Sequence, residues 1–195
     1  MGTKTSPRRT AKRRASQEIV TAILDATCEL IVARGVASTS TNLIAARAGV
    51  SVGSLYHYFP NKDAVLAAVT KRSNDQLTSA VRNALKDEGT LRQRYMAGVR
   101  AYFLADTLPL RAALIDYVPR GWESSGISDT EQAFEDIVRD FAAHAEPQGV
   151  DVNRVWMLTV AVRGAFQGSL RRRELIESGE LLAFADDIVR AVLGD

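Results

Sequence analysis

Gly49-Val50-Ser51-Val52-Gly53 has the spacing of the G-x-S-x-G nucleophile elbow of hydrolases. A serine in that setting is activated on a sharp turn from a strand into a helix, with a histidine base in reach. Here the preceding residues 43–48 read as helix and include three alanines, Ala45, Ala46 and Ala48. The two histidines give no base: His57 sits six residues on in the same short helix, and His144 ends a distant helix with no identifiable partner. Cys28 is the one cysteine, so the chain can form neither an intrachain disulfide nor a cysteine-based zinc site. It reads as a small buried hydrophobe beside Leu24 and Ile31. The glycines form no phosphate-binding loop with a following Lys-Ser/Thr. The residues therefore point away from an enzyme and require no cofactor or metal.

Charge is more informative. The net charge is +2, but residues 1–62 carry nine Lys/Arg against three acidic residues, a local +6 that leaves −4 on the remainder. A basic third on an acidic body implies that one end meets a polyanion. No run of eighteen apolar residues is present, so no membrane span is expected. The N-terminus lacks the apolar stretch of a signal peptide, and Arg8-Arg9 is followed by the polar, basic residues 10–16. The expected location is the cytoplasm.

The elements that must position these groups are all helical, and no strand-like alternation of useful length occurs. Residues 1–15, with Arg8, Arg9, Lys12, Arg13 and Arg14 clustered, read as a flexible basic arm. A first helix over 16–34 carries Ile19, Ala22, Ile23, Ala26, Cys28, Leu30 and Ile31 at roughly helical spacing, and Gly35 stops it. Short helices follow over 41–48 and 52–59, then longer ones from 62 to 86 and beyond Gly89. Further helices are predicted over 110–117, 129–145, 151–173 and 178–193, with loops at Val118-Pro119 and Pro147-Gln148-Gly149.

The segment Ser40 to Lys62 (STNLIAARAGVSVGSLYHYFPNK) holds the functional signal. Ser40 caps a helix whose Ile44, Ala45 and Ala48 face inward. Gly49 permits the positive-φ turn, Val50 plugs the gap, and Ser51 caps the second helix. This is the helix-turn-helix plan, whose second helix enters the major groove of DNA. Val52, Gly53 and Ser54 keep its first turn small; Tyr56, His57 and Tyr58 offer large amphipathic groups; Leu55 and Phe59 anchor it. Lys62 opens the next helix, where a cation opposes the dipole and an anionic phosphate would favour it.

Ile44-Ala45, Ala48-Gly49-Val50-Ser51, Gly53, Leu55-Tyr56, Tyr58-Phe59 and Lys62 together resemble the DNA-binding domain of the TetR (tetracycline-repressor-like) family of bacterial transcriptional regulators. The resemblance is close over 19–69. It implies that Thr41 and Lys62 touch the DNA backbone, that Asn42 reads a base, and that Val52, Gly53, Ser54, Tyr56, His57 and Tyr58 contact bases or phosphates. Leu43 departs from the family, which usually carries a charged residue there. The implied architecture is all-α: a helix-turn-helix domain at 16–61 and a ligand-binding and dimerisation domain at 62–195.

In that second domain the 151–173 helix is apolar around much of its circumference, and Gly164 and Gly168 allow close helix approach. With the last helix it is expected to form a homodimer that presents two recognition helices to a pseudo-palindromic operator in double-stranded DNA. Tyr102, Phe103, Tyr117, Trp122, Phe134, Trp156 and Phe166 are the expected walls of a small-molecule chamber, with Asp116 or Arg163 as polar anchors. The family mechanism implies a repressor: ligand shifts the helix starting at Lys62 and weakens DNA binding. The alternative is a regulator or activator without a small-molecule effector.

Overall fold

The computed structural model describes residues 7–114 and 126–194, and every regular element among them is helical. The helices are α1 (Pro7–Arg34), α2 (Thr41–Ala48), α3 (Val52–Tyr58), α4 (Lys62–Ala84) and α5 (Leu91–Phe103). They continue as α6 (Leu108–Leu114), α7 (Gly126–Ala145), α8 (Val152–Ser169), α9 (Arg173–Glu177) and α10 (Glu180–Leu193). A 3-10 turn at Glu146–Gln148 separates α7 from α8. Two compact units result, one of the described residues up to Thr70 and one from Lys71 onward.

Helix α1 starts at Pro7, nine residues before the expected start at Ser16. Residues 7–15, read as arm, thus continue the helix. The physical reason is propensity: proline suits the first position, and Ala, Lys and Arg are strong helix formers. Arg14 also reaches Glu18 one turn on at 3.2 Å.

In the first unit α1 packs on α2 and α2 on α3. Ile23, Ile31, Ile44, Leu55, Val65, Leu66 and Val69 are fully buried, and burial of such side chains contributes about 1.5–3 kcal/mol each. Val65, Leu66 and Val69 belong to α4, so the opening turns of that helix complete this core. Thr27, not Cys28, turns fully inward on α1. Its hydroxyl donates to the Ile23 carbonyl at 2.6 Å, which allows a polar side chain to be buried there.

In the second unit α10 packs on α5 and α8, and α7 on α8. Thr90 and Gln93 form a reciprocal capping box that starts α5. A Cβ at Gly98 would lie 2.9 Å from Leu85 Cδ2, so only glycine lets Leu85 pack this close to α5. Arg92 of α5 holds Asp186 of α10 at 2.7 Å, and this hydrogen bond keeps the Asp186 carboxyl below its usual range. The expected single helix over 151–173 is interrupted after Ser169, and α9 follows. The break directs both Leu170 and Ile176 into the core.

Candidate nucleic-acid interface and ligand cavity

The geometry between Ser40 and Lys62 is built from local caps. Ser40 Oγ accepts from the Leu43 N–H at 3.3 Å. Gly49 has φ 69°, and the Val50 N–H reaches back to the Ala45 carbonyl at 3.0 Å, closing the turn. Ser51 Oγ accepts from the Ser54 N–H at 3.0 Å. The serine that imitates a nucleophile elbow is therefore a helix cap between two helices. Leu55 and Phe59 are buried, as anchors must be, while Val50 is half-buried.

These anchors turn the expected DNA-contacting residues outward. Asn42, Val52, Gly53, Tyr56 and His57 are exposed; Thr41, Ser54, Tyr58 and Lys62 are half-buried. Thr41 and Tyr56 share a hydroxyl hydrogen bond of 3.1 Å, which braces the start of α2 against α3. His57 and Tyr58 meet edge to face, ring centroids 5.1 Å apart. Leu43 is exposed beside this group.

Two cations here already have partners inside the protein. The Lys62 ammonium donates to the Val36 carbonyl at 2.6 Å, tying the start of α4 to the turn after α1. Its remaining N–H groups can still meet a phosphate. Arg47 Nε donates to Glu29 Oε2 at 2.6 Å, joining α2 to α1. Asn61 escaped sequence reasoning: its Oδ1 caps α4 through the Ala64 N–H at 2.8 Å. An Asn followed by an apolar-periodic run was the available signal.

Gly53 is the most telling residue. Its φ is not positive, and a Cβ built on it would meet only Ser51 Oγ, at 3.9 Å. Among the described residues nothing requires glycine here.

The second unit gathers the expected aromatic residues in part. Tyr102 lies edge to face with Phe134 at 5.5 Å and with Phe166 at 4.9 Å, and Phe103 stacks on Phe166 at 4.8 Å. Tyr102, Phe134 and Arg163 line an apolar cavity of about 50 Å³. Phe103 and Phe166 are fully buried behind it as core. Trp156 does not belong to the cavity: it is 53% exposed. At 100° per residue it points away from the buried stripe of Val155, Leu158, Val162 and Phe166. Asp116, Tyr117 and Trp122 lie outside the described residues.

Sequence reasoning did not find Tyr95 and Thr159, which bring the cavity a shared hydroxyl hydrogen bond of 2.8 Å. Burial pushes the Tyr95 phenol up to about 12, partly offset by the bond to Thr159. Above pH about 10 the unfolded chain therefore loses this proton while the folded chain keeps it, so stability falls as pH rises through the window from about 10 to 12. The expected slope is about 1.4 kcal/mol per pH unit for one proton. Tyr95→Phe is expected to flatten that part of the alkaline unfolding curve, as followed by denaturant titration at several pH values. An unchanged slope would contradict the burial of the phenol.

An all-helical chain that presents a capped helix-turn-helix with an exposed second helix defines the class of helix-turn-helix regulatory proteins. The family model described as bacterial regulatory proteins, tetR family, matches residues 23–69. The transcriptional activator FasR of Mycolicibacterium smegmatis is 33% identical over 144 residues, 72% of this chain and 65% of its own. The transcriptional regulator BetI of Escherichia coli is 39% identical over 83 residues, 42% of this chain and 43% of its own. The matches thus span less than two-thirds of either relative's length. The fold is also that of the FadR regulator from Bacillus subtilis, solved in complex with stearoyl-CoA. The TM-score is 0.68 at 19% identity, with 90% of this chain and 98% of that one covered. Residues 23–69 thus form the DNA-binding domain of the tetR family of bacterial regulatory proteins. Among the described residues no helix is long and apolar enough to cross a membrane.

Proposed function

We propose that the protein is a homodimeric, sequence-specific DNA-binding transcriptional regulator that acts in the cytoplasm. It binds a pseudo-palindromic operator and is released by a small-molecule ligand held in the second unit. The observation that carries this reading is the outward edge of α3, where Gly53 has no internal reason to be glycine and stands among exposed Val52, Tyr56 and His57. A bare first turn lets the backbone approach phosphates and base edges. Thr41, Asn42, Ser54, Tyr58 and Lys62 flank the same surface. The family match over residues 23–69 supports the same reading.

Dimerisation through α8 and α10 is supported by what these helices leave uncovered. Trp156, Met157, Val160 and Phe184 are each about half exposed. A Cβ at Gly164 or Gly168 would touch nothing among the described residues. Ligand release is supported by the aromatic cavity and by the acyl ligand named for the FadR relative. Helix α4 is continuous from the first unit into the second, so a ligand that displaces it can reach the recognition helix. To do so, the ligand must favour the non-binding conformation over the binding one.

The test is selection of random genomic fragments by the purified protein, with sequencing and a salt titration. Enrichment of one or a few inverted repeats is expected. Uniform, strongly salt-dependent recovery would reduce the protein to non-specific binding, and no recovery at low salt would overturn DNA binding altogether. The activator named among the relatives favours a second reading, in which the bound dimer promotes transcription. Expression of the selected genes in a deletion strain separates the two: repression predicts a rise and activation a fall.

A further inference from the structure

Two arginines in the second unit are held against aromatic rings. The Arg111 guanidinium stands 4.4 Å from the ring centroids of both Tyr102 and Phe166. Arg163 stands 4.5 Å from that of Phe134. Tyr102 and Phe134 themselves meet edge to face, ring centroids 5.5 Å apart. Arg111 donates to the Tyr102 carbonyl at 2.8 Å. Among the described residues neither arginine has a carboxylate partner, in contrast to Arg92, which is paired with Asp186. Arg163 Nε is buried with no hydrogen-bond partner, and so is the Thr107 hydroxyl, one turn before Arg111.

A desolvated guanidinium is costly unless an anion or several acceptors satisfy it, and aromatic faces return only part of that cost. Burial draws Arg111 below its ordinary pKa, and the neighbouring Arg163 cation acts in the same direction. Two cations near enough to repel one another, one of them lining an apolar cavity, lack a counter-anion. The cavity that Arg163 lines is otherwise walled by Val99, Ile137, Val155 and Val162, surfaces suited to an alkyl chain.

We propose that Arg163 and Arg111 form the oxyanion-binding end of an effector site for an anionic amphiphile, whose alkyl part occupies the adjoining aromatic-lined cavity. This rests on the ligand-responsive reading above and names the class of its ligand. At about 50 Å³ the cavity is far smaller than an ordinary ligand pocket of roughly 300–1,000 Å³, so binding also opens the second unit. That opening is the differential between two conformations that a regulatory ligand needs. The oxyanion can be the carboxylate of a free fatty acid or a phosphate of an acylated carrier.

The test uses the full-length protein and calorimetric titration with dodecanoate, dodecanoyl-coenzyme A and dodecanol, which share one chain length. Dodecanoate or the acylated carrier is expected to bind at least tenfold tighter than the neutral alcohol, and whichever does so identifies the source of the oxyanion. Arg163→Met and Arg111→Met are expected to erase that preference while leaving the alcohol's affinity within about twofold. Arg163→Lys, which keeps the charge and loses the fork, should retain part of it and guards against a merely misfolded variant. Equal binding of charged and neutral chains, unmoved by the substitutions, would overturn the arginine site while leaving the ligand reading intact. Failure of all three to bind a protein that still retains operator DNA would overturn this inference, while the ligand reading, which names no chemical class, would stand.

Discussion

Gly53→Val is expected to weaken operator binding by about 10- to 100-fold, some 1.5–3 kcal/mol on the scale of one lost base-pair contact, without lowering thermal stability. The two halves have separate causes. Inside the protein a Cβ at position 53 meets only Ser51 Oγ at 3.9 Å, and the backbone is not in the left-handed region. Valine is also no worse a helix former than glycine. Outside, the same branch projects from the first turn of α3 between exposed Val52 and half-buried Ser54. There it would hold the helix away from the groove. Fluorescence anisotropy on the selected operator measures the first effect and circular dichroism melting the second. Full operator affinity would mean that the bare turn faces no partner, and a large loss of stability would mean that glycine serves the fold.

This separation explains what the sequence could reveal. Ser40, Gly49 and Ser51 act through partners only a few residues away, so spacing alone identifies their roles. The start of α1 was misplaced because the cluster from Arg8 to Arg14 suits both a solvated arm and a helix; charge reads the same in each. The bond from Lys62 to the Val36 carbonyl is not legible in the sequence, because that partner is 26 residues away and leaves no local pattern. The body was harder for a further reason. In a helix apolar on most sides, periodicity cannot tell the face toward the core from the face toward a partner. Trp156 and Val155 are neighbours in sequence, yet one is 53% exposed and the other is fully buried. Arg111 was invisible for the opposite reason: a lone cation in the short helix α6 carries no signal until Tyr102 and Phe166 close around it.

Val160→Glu is the substitution expected to have the largest effect on assembly. Its position follows from the two faces of α8. The inward stripe runs through Val155, Leu158, Val162 and Phe166, and Val160 lies nearly opposite it, between Trp156 and Gly164 on the uncovered side. Val160 is 49% exposed, so a carboxylate there remains hydrated in the isolated chain and leaves its fold in place. In a two-fold dimer the same surface meets itself, and each interface receives two unpaired like charges. An uncompensated buried charge costs about 3–5 kcal/mol, enough to weaken self-association at least 100-fold. Sedimentation velocity should show a folded monomer at concentrations where the parent chain is a dimer. Operator affinity should fall with it, because each monomer then holds only one half-site. A Val160→Glu protein that sediments as a stable dimer would move the interface off the α8 face. One that is monomeric yet binds the full operator undiminished would separate DNA recognition from two-fold symmetry.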